Sequence, residues 1–442
     1  MYQITKMMKM ILPVLGLFLS VGAAAQQQIT LKEALNYAVQ NNINAKKARL
    51  DIEKGRARTA EVRAQALPQI NGNTGLTYNP VIGSIVFGDQ AIRLGQTWNS
   101  QIGAQLEQQI FNQQVFTGLQ AAKASESYYQ LNASLTEEQV IEQVANNYYQ
   151  VLVNREQLNV IDTNIKNVKV VERIITTQYK SGLAKKIDVD RIKVNLTNLE
   201  TQRTQTVNAI TQLENQLKYA MGMPVSTQLV LPPTELSQVQ ALPELADSLN
   251  VDNRVEMRLM NTQRSLLTLQ RKAYVAEYFP TLSLSGNYTY AAQSNRFDYL
   301  GTNPVAIAFG SSAIGVTLRV PIFNGFATRS RVRQAEVDIR KIDDDIYNTK
   351  NGLNLAYENA KLELRNSFNT INSQRQNVAL ADEIYRSTQN NYNNGLAALT
   401  DLLDTENALT QAQNSYTQAL LNYKIAEIQL IKSNGNIKSL LK

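Results

Sequence analysis

The 442-residue chain contains no cysteine and no histidine. Disulfides, thiolate nucleophiles, Ser-His-Asp arrangements and nearly all zinc sites are thereby excluded. Glycine and proline are sparse, at 20 and 10 residues, and sit mainly in strand-like and connecting stretches, leaving room for long uninterrupted helices. A mean hydropathy of −0.28 with 43% hydrophobic residues excludes a polytopic helical membrane protein. No Lys/Arg block of the nucleic-acid-binding type occurs, so the excess charge of +7 is spread out and no nucleic-acid partner is expected. No nucleotide-binding motif, metal constellation or cofactor signature appears either. This composition points away from an enzyme, so any work the chain takes part in draws its energy from a partner.

The first residues read as an export signal. Lys6 and Lys9 precede an apolar run from Met10 to Val21, and Ala23-Ala24-Ala25 offers a small-residue cleavage site. That run is short for a membrane span, and without cysteine the mature terminus offers no thiol for a diacyl anchor. Losing Lys6 and Lys9 with the signal lowers the formal charge to +5.

The rest is one unit written twice. Tyr179, Gly182, Leu183 and Asp188 recur as Tyr392, Gly395, Leu396 and Asp401 at an offset of 213 residues. Pro68 pairs with Pro280, and Ile110-Phe111-Asn112 with Ile322-Phe323-Asn324, at an offset of 212. The expected plan is a signal at 1–25, a first repeat at 26–222, a linker at 223–247, a second repeat at 248–434 and a loose tail at 435–442. The linker holds Pro224, Pro232, Pro233 and Pro243.

Within each repeat the hydrophobic period changes. The Thr30-Leu31-Lys32-Glu33 spacing predicts a capping box and one helix to about Ala66, stopped by Leu67-Pro68. Four segments then alternate at period two: Ile70 to Tyr78, Trp98 to Ile110, Leu282 to Tyr290 and Ile314 to Ile322. One-sided strands usually mean a half-buried soluble sheet. Here the polar side is rich in Gln, Asn, Ser and Thr, and Tyr78, Trp98, Tyr288 and Tyr290 lie toward strand ends. The lengths match tilted membrane strands of about 9–11 residues. Lipid admits only closed barrels, and four strands cannot close around a lumen, so a membrane reading needs several chains; three would supply twelve strands.

From Gln113 the helical period persists to about Gln178, a length of roughly 100 Å at 1.5 Å per residue. Val144, Val151, Leu158 and Ile165 are seven apart, with Ile161, Val168 and Ile175 on an adjoining row. In the second copy Tyr357, Leu364, Ile371, Val378, Tyr385 and Tyr392 repeat at sevens. This is coiled-coil spacing, flanked by Asn, Gln and Thr rather than by zipper charges. Ser181-Gly182-Leu183 and Asn394-Gly395-Leu396 reverse the chain, and helices return from about Asp188 to Met221 and from about Asp401 to Ser433.

A signal, a helix, two strands, a very long helix, a Gly-Leu tip followed by Asp, a returning helix, and then the whole again: in this order the chain resembles the trimeric TolC-like outer membrane efflux protein family. Pro-Ile-Phe-Asn-Gly at 321–325 and Tyr392-x-x-Gly395-Leu396 with Asp401 and Asp404 carry the resemblance, which covers essentially the whole mature chain. It implies a mainly α fold with a membrane β-barrel: a homotrimer whose twelve-stranded barrel sits in outer-membrane lipid above an α-helical periplasmic tunnel. It also implies tips that close the tunnel and dock on a periplasmic adaptor linked to an inner-membrane transporter. The implied activity is a passive exit duct for small molecules or proteins.

On that reading Asp401 and Asp404, one helical turn apart, contribute to a ring of six carboxylates at the gate, together with Asp188, Tyr179 and Tyr392. First-turn carboxylates are also explained by the helix dipole alone. The family's best-known member has an arginine two residues beyond the second-tip glycine, where this chain has Ala397. Lys185 and Lys186 are candidates to replace it, pairing with Asp401 or Asp188 of a neighbouring hairpin; otherwise they are solvated charges. Leu183 and Leu396 are candidate docking knobs or helix-end contacts. The competing classes are a periplasmic adaptor, which carries one hairpin rather than two, and a secreted structural coiled coil, which leaves the one-sided strands unexplained.

Overall fold

The computed structural model describes residues 28–232, 250–297 and 306–442. The predicted signal and most of the 223–247 linker lie outside these described residues. The helices are α1 (Leu31–Asn41), α2 (Ile43–Ala64), α3 (Gln113–Lys180), α4 (Lys186–Met221), α5 (Val255–Ala276), α6 (Ala327–Asn393) and α7 (Leu399–Ser433). The strands are β1 (Gln69–Tyr78), β2 (Ser84–Phe87), β3 (Gln90–Arg93), β4 (Trp98–Phe111), β5 (Thr281–Ser294) and β6 (Ile307–Arg319). None of the described helices is long and apolar enough to cross a membrane. The chain divides into two compact units, each drawing on both repeats.

The first unit comprises the described residues of Met1–Lys46, Thr136–Asn250 and Leu353–Lys442. The Thr30 capping box forms as its spacing predicts: Glu33 N–H donates to Thr30 Oγ1 at 3.3 Å, and Thr30 N–H to Glu33 Oε2 at 2.9 Å. The single helix expected to Ala66 is instead broken at Asn42, whose ψ of 135° is extended. Asn42 Oδ1 accepts from Asn44 N–H at 2.8 Å and so restarts the helix, while its Nδ2 donates to the Ala220 carbonyl at 2.7 Å. A tertiary partner for one asparagine outweighs the cost of interrupting the helix. The backbone beside it is close: a Cβ on Gly222 (φ 74°) would lie 2.4 Å from the Asn41 carbonyl oxygen, so only glycine fits there.

Most of the seven-spaced residues form the core, as their period predicts; Leu158 and Val378 are only half-buried and lie outside it. Val144, Val151 and Tyr148 of α3 pack with Leu35 of α1, Leu217 and Met221 of α4, and Ile428 of α7. Tyr357, Leu364 and Ile371 of α6 pack with Leu420, Tyr423 and Leu430 of α7. The C-terminus is not the loose tail the sequence suggests. Ile437–Leu441 forms a 3₁₀ turn with Ile437 wholly buried, and Lys438 pairs with Glu137 at 3.0 Å. Lys32 Nζ donates to the Lys442 carbonyl.

The second unit comprises the described residues of Lys47–Leu135 and Val251–Gly352. Its helices bury Met257, Ala276, Ala335 and Ile342 and are bridged by ion pairs: Arg264–Asp343 at 2.5 Å, Arg271–Glu336 at 2.7 Å and Arg331–Glu277 at 2.5 Å. Its sheet is antiparallel in the order β1-β4-β5-β6, so the hairpin of each repeat pairs through β4 and β5. The strand expected to reach Ile322 ends at Arg319, just before Pro321, which has no N–H to donate. Two short strands that alternation does not reveal, β2 and β3, form a separate hairpin with Ile85 opposite Ile92.

Candidate functional site

Register sorts the sheet's side chains by face. Ile70, Leu106 and Ile314 lie on one row across the sheet, Ile102 with Tyr290 on another, and Leu284 with Val316 and Leu282 with Leu318 on two more. The opposite face carries Asn71, Gln105 and Asn287, then Asn73, Thr289 and Ser311, then Gln69, Glu107 and Ser285. The apolar rows are largely uncovered within the chain: Ile314 is 84% exposed, while Leu106, Leu282 and Leu284 are half-buried. Tyr78 and Trp98 stack at 4.5 Å at the end of the sheet away from the helices, joined by Phe297 at 4.9 Å. At the helix-proximal end Phe111 meets Phe116 and Phe323 meets Phe326, at 6.3 and 5.4 Å. An apolar band between two aromatic rows is the pattern of a strand set facing lipid. Edge strands β1 and β6 have no further partner among the described residues, and open edges in lipid are costly.

The other candidate site is at the hairpin ends in the first unit. Both turns take the same form. Leu183 N–H donates to the Gln178 carbonyl and Leu396 N–H to Asn391, each at 2.8 Å, while Gly182 and Gly395 donate to Tyr179 and Tyr392 at 3.0 Å. These paired bonds close the helices, and they require a left-handed residue, supplied by Gly182 at φ 77° and Gly395 at φ 74°. Leu183 and Leu396 are 81% and 78% exposed, so neither covers its helix end. Ser181 and Asn394 are exposed as well.

Beneath the turns Ile161, Val168 and Ile175 of α3, Val189 and Ile192 of α4, Tyr385 of α6 and Leu402 and Leu409 of α7 form one core, with Tyr392 packed against it. The two hairpins therefore share an interior. Tyr392 is half-buried and its phenol is pushed up by burial and by the charge of Asp188, which places residues of the first and second tips side by side. Tyr179 is exposed and has no such setting. Asp401 Oδ2 accepts the Ala398 N–H at 3.0 Å and so caps its own helix, the local role its position suggests. Asp404 lines a groove of about 500 Å³ between α4 and α7 with Ile187, Asp190, Arg191 and Val194. Among the described residues Lys185, Lys186, Asp188, Asp401 and Asp404 form no ion pair with one another.

One group here is not apparent as special from the sequence. Glu406 of α7 is buried, its Oε1 has no hydrogen-bond partner among the described residues, and burial pushes its carboxyl up to about 7. Tyr385 is pushed up to about 12 by burial and by Glu406. No local spacing could reveal this, because Glu406 is one of several acidic residues in the first turns of α7.

The sequence profile of outer membrane efflux proteins matches residues 20–223 and 249–436. The chain belongs to the outer membrane efflux protein family. Within the family, it is 23% identical over 390 residues to the outer membrane protein TolC of Vibrio cholerae, covering 85% of this chain and 83% of that one. It is 20% identical to the alkaline protease secretion protein AprF of Pseudomonas aeruginosa, covering 90% and 83%. Its fold matches that of the Campylobacter jejuni outer membrane channel CmeC with a TM-score of 0.76 over 92% of this chain and 85% of that chain, at 16% identity.

Proposed function

We propose that the chain is the outer-membrane exit duct of a tripartite efflux or type I secretion system, conducting substrates passively. The observation that carries this reading is the sheet: one face mainly apolar, largely uncovered and bounded by aromatics, the other lined with amides and hydroxyls, and both edges open among the described residues. Three copies close those edges into twelve strands with the polar face toward the lumen. The family membership and the names of the relatives support the same reading.

The duct resides in the outer membrane with its helices in the periplasm. The hairpin ends close its entrance, with Asp401, Asp404, Asp188, Tyr392, Tyr179, Lys185 and Lys186 around the opening. Ser181, Gly182, Leu183, Asn394, Gly395 and Leu396 form the surface met by a periplasmic adaptor, which couples the duct to an inner-membrane transporter. The two exposed leucines support that docking role, because each leaves apolar surface in water. The reading is tested by gel mobility with and without heating and by conductance in planar bilayers. A heat-dissociable trimer that conducts ions is expected, and a monomer without conductance refutes it.

A further inference from the structure

We propose that Glu406 is a proton-operated latch, holding the two hairpins together when it is protonated and loosening them when it ionises. The proposal rests on the reading of the hairpin ends as the entrance of the duct.

Glu406 sits seven residues into α7 with 6% of its surface exposed, on the stripe that carries Leu402 and Leu409 into the shared hairpin core. A carboxylate in such a place needs a cation or several donors, and among the described residues no ion pair forms with it and its Oε1 has no donor. Asn164 Nδ2 of α3 donates to Thr410 Oγ1 at 2.7 Å, and Thr410 in turn donates to the Glu406 backbone carbonyl at 2.9 Å. Asn164 and Thr410 thus bond each other and the backbone rather than the carboxyl, and among the described residues Glu406 Oε1 is left unpaired.

The charged residues around it point to the surface: Lys166 of α3, two residues beyond Asn164, is exposed. The Asn164–Thr410 bond sets Val168 and Lys169 of α3 at the height of Glu406, and Lys169 pairs with Glu200 of α4 at 3.0 Å, both half-exposed. On α6, Arg386 pairs with Asp382 at 2.9 Å at the surface. The titratable group of α6 that feels Glu406 is Tyr385, whose hydroxyl accepts from Gln389 Nε2 at 3.3 Å. Tyr385 stays neutral throughout the physiological range and supplies no counter-charge. On α7 itself Asp401 and Asp404 lie toward the turn and are acidic.

Two routes relieve the buried carboxylate. It takes up a proton, or the helices part and admit water. The carboxyl titrates near 7 while packed and near 4.5 in water. Below about pH 4.5 it is neutral in both arrangements and adds no bias. Between there and pH 7 each pH unit favours the hydrated arrangement by up to about tenfold, and above pH 7 the bias is constant. From pH 5 to pH 8 the total is roughly 70-fold per subunit.

The absence of native cysteine makes the test direct. Leu402→Cys places the only thiol in the hairpin core, and Leu409→Cys serves if that variant does not assemble. The labelling rate by a neutral thiol reagent is measured on the purified full chain with Glu406 present and with Glu406→Gln. The ratio of the two rates at each pH cancels the ionisation of the thiol. A ratio of only a few at pH 5, climbing several tens-fold by pH 8 and levelling off above pH 7, is expected; a ratio that stays constant with pH overturns the latch. In planar bilayers the parent opens more often as pH rises over the same interval, and the Glu406→Gln protein does not. A rising labelling ratio in a conducting protein whose opening ignores pH also overturns the latch. A rising ratio in a protein that conducts at no pH overturns the duct reading instead.

Discussion

Ile314 and Ala313 are neighbours in the middle of β6 and point to opposite faces of the sheet. Ile314 lies opposite Gly286 on the row that carries Leu106 and Ile70, whereas Ala313 lies opposite Asn287 on the row of Gln105 and Asn71. Arginine at each position therefore separates a lipid-facing sheet from one bathed in water on both sides. If the apolar face meets lipid, Ile314→Arg sets a charge near the middle of the hydrocarbon. That costs about 2–4 kcal/mol per subunit, or about 6–12 kcal/mol for three copies. Ala313→Arg meets amides and water and shifts stability by only about 0.5 kcal/mol. Both residues are exposed within the chain, so a soluble sheet tolerates both arginines. The assay is the fraction of each variant recovered from outer membranes in heat-modifiable form, followed by denaturant unfolding in lipid vesicles. Loss of assembly in Ile314→Arg with near-normal Ala313→Arg is expected. Equal behaviour of the pair, or the reverse order, refutes the assignment of faces.

Asp401→Ala with Asp404→Ala is expected to weaken block by multivalent cations from the periplasmic side. Losing the Asp401–Ala398 bond costs only about 1 kcal/mol of helix stability, so a correctly assembled double variant with unchanged block places the constriction elsewhere. Lys185→Ala with Lys186→Ala is expected to raise opening at low salt, the difference shrinking at high salt because exposed pairs are screened; equal opening at low salt removes these lysines from the gate. Ile437→Ala is expected to cost about 2–4 kcal/mol through the cavity it leaves, read as a lower Tm, and an unchanged Tm means that the C-terminal turn is not docked.

The broad plan was legible in the sequence because each part of it has its own period. Residues seven apart find one seam whatever they pack against, so the cores around Val144, Val151, Leu364 and Ile371 follow from spacing alone. Alternation at period two assigns Ile102 and Gln105 to opposite faces before any partner strand is known. The turns at Gly182 and Gly395 are also local, since the left-handed conformation they need is a property of the residue itself.

What the tertiary structure decided involves partners distant in the chain. The break at Asn42 depends on the carbonyl of Ala220, and the docking of Ile437 on a cavity assembled from α1, α3 and α7. The pairing of β4 with β5 joins the repeats across a span that no local pattern encodes. The two tip tyrosines are equivalent in the duplication, yet Tyr392 packs against the shared core and feels Asp188, while Tyr179 faces solvent. Glu406 shows the distinction most sharply. Its position is an ordinary acidic site near the start of a polar helix, and its environment exists only once four helices have closed around it, because burial and desolvation belong to an assembly of surfaces rather than to a residue.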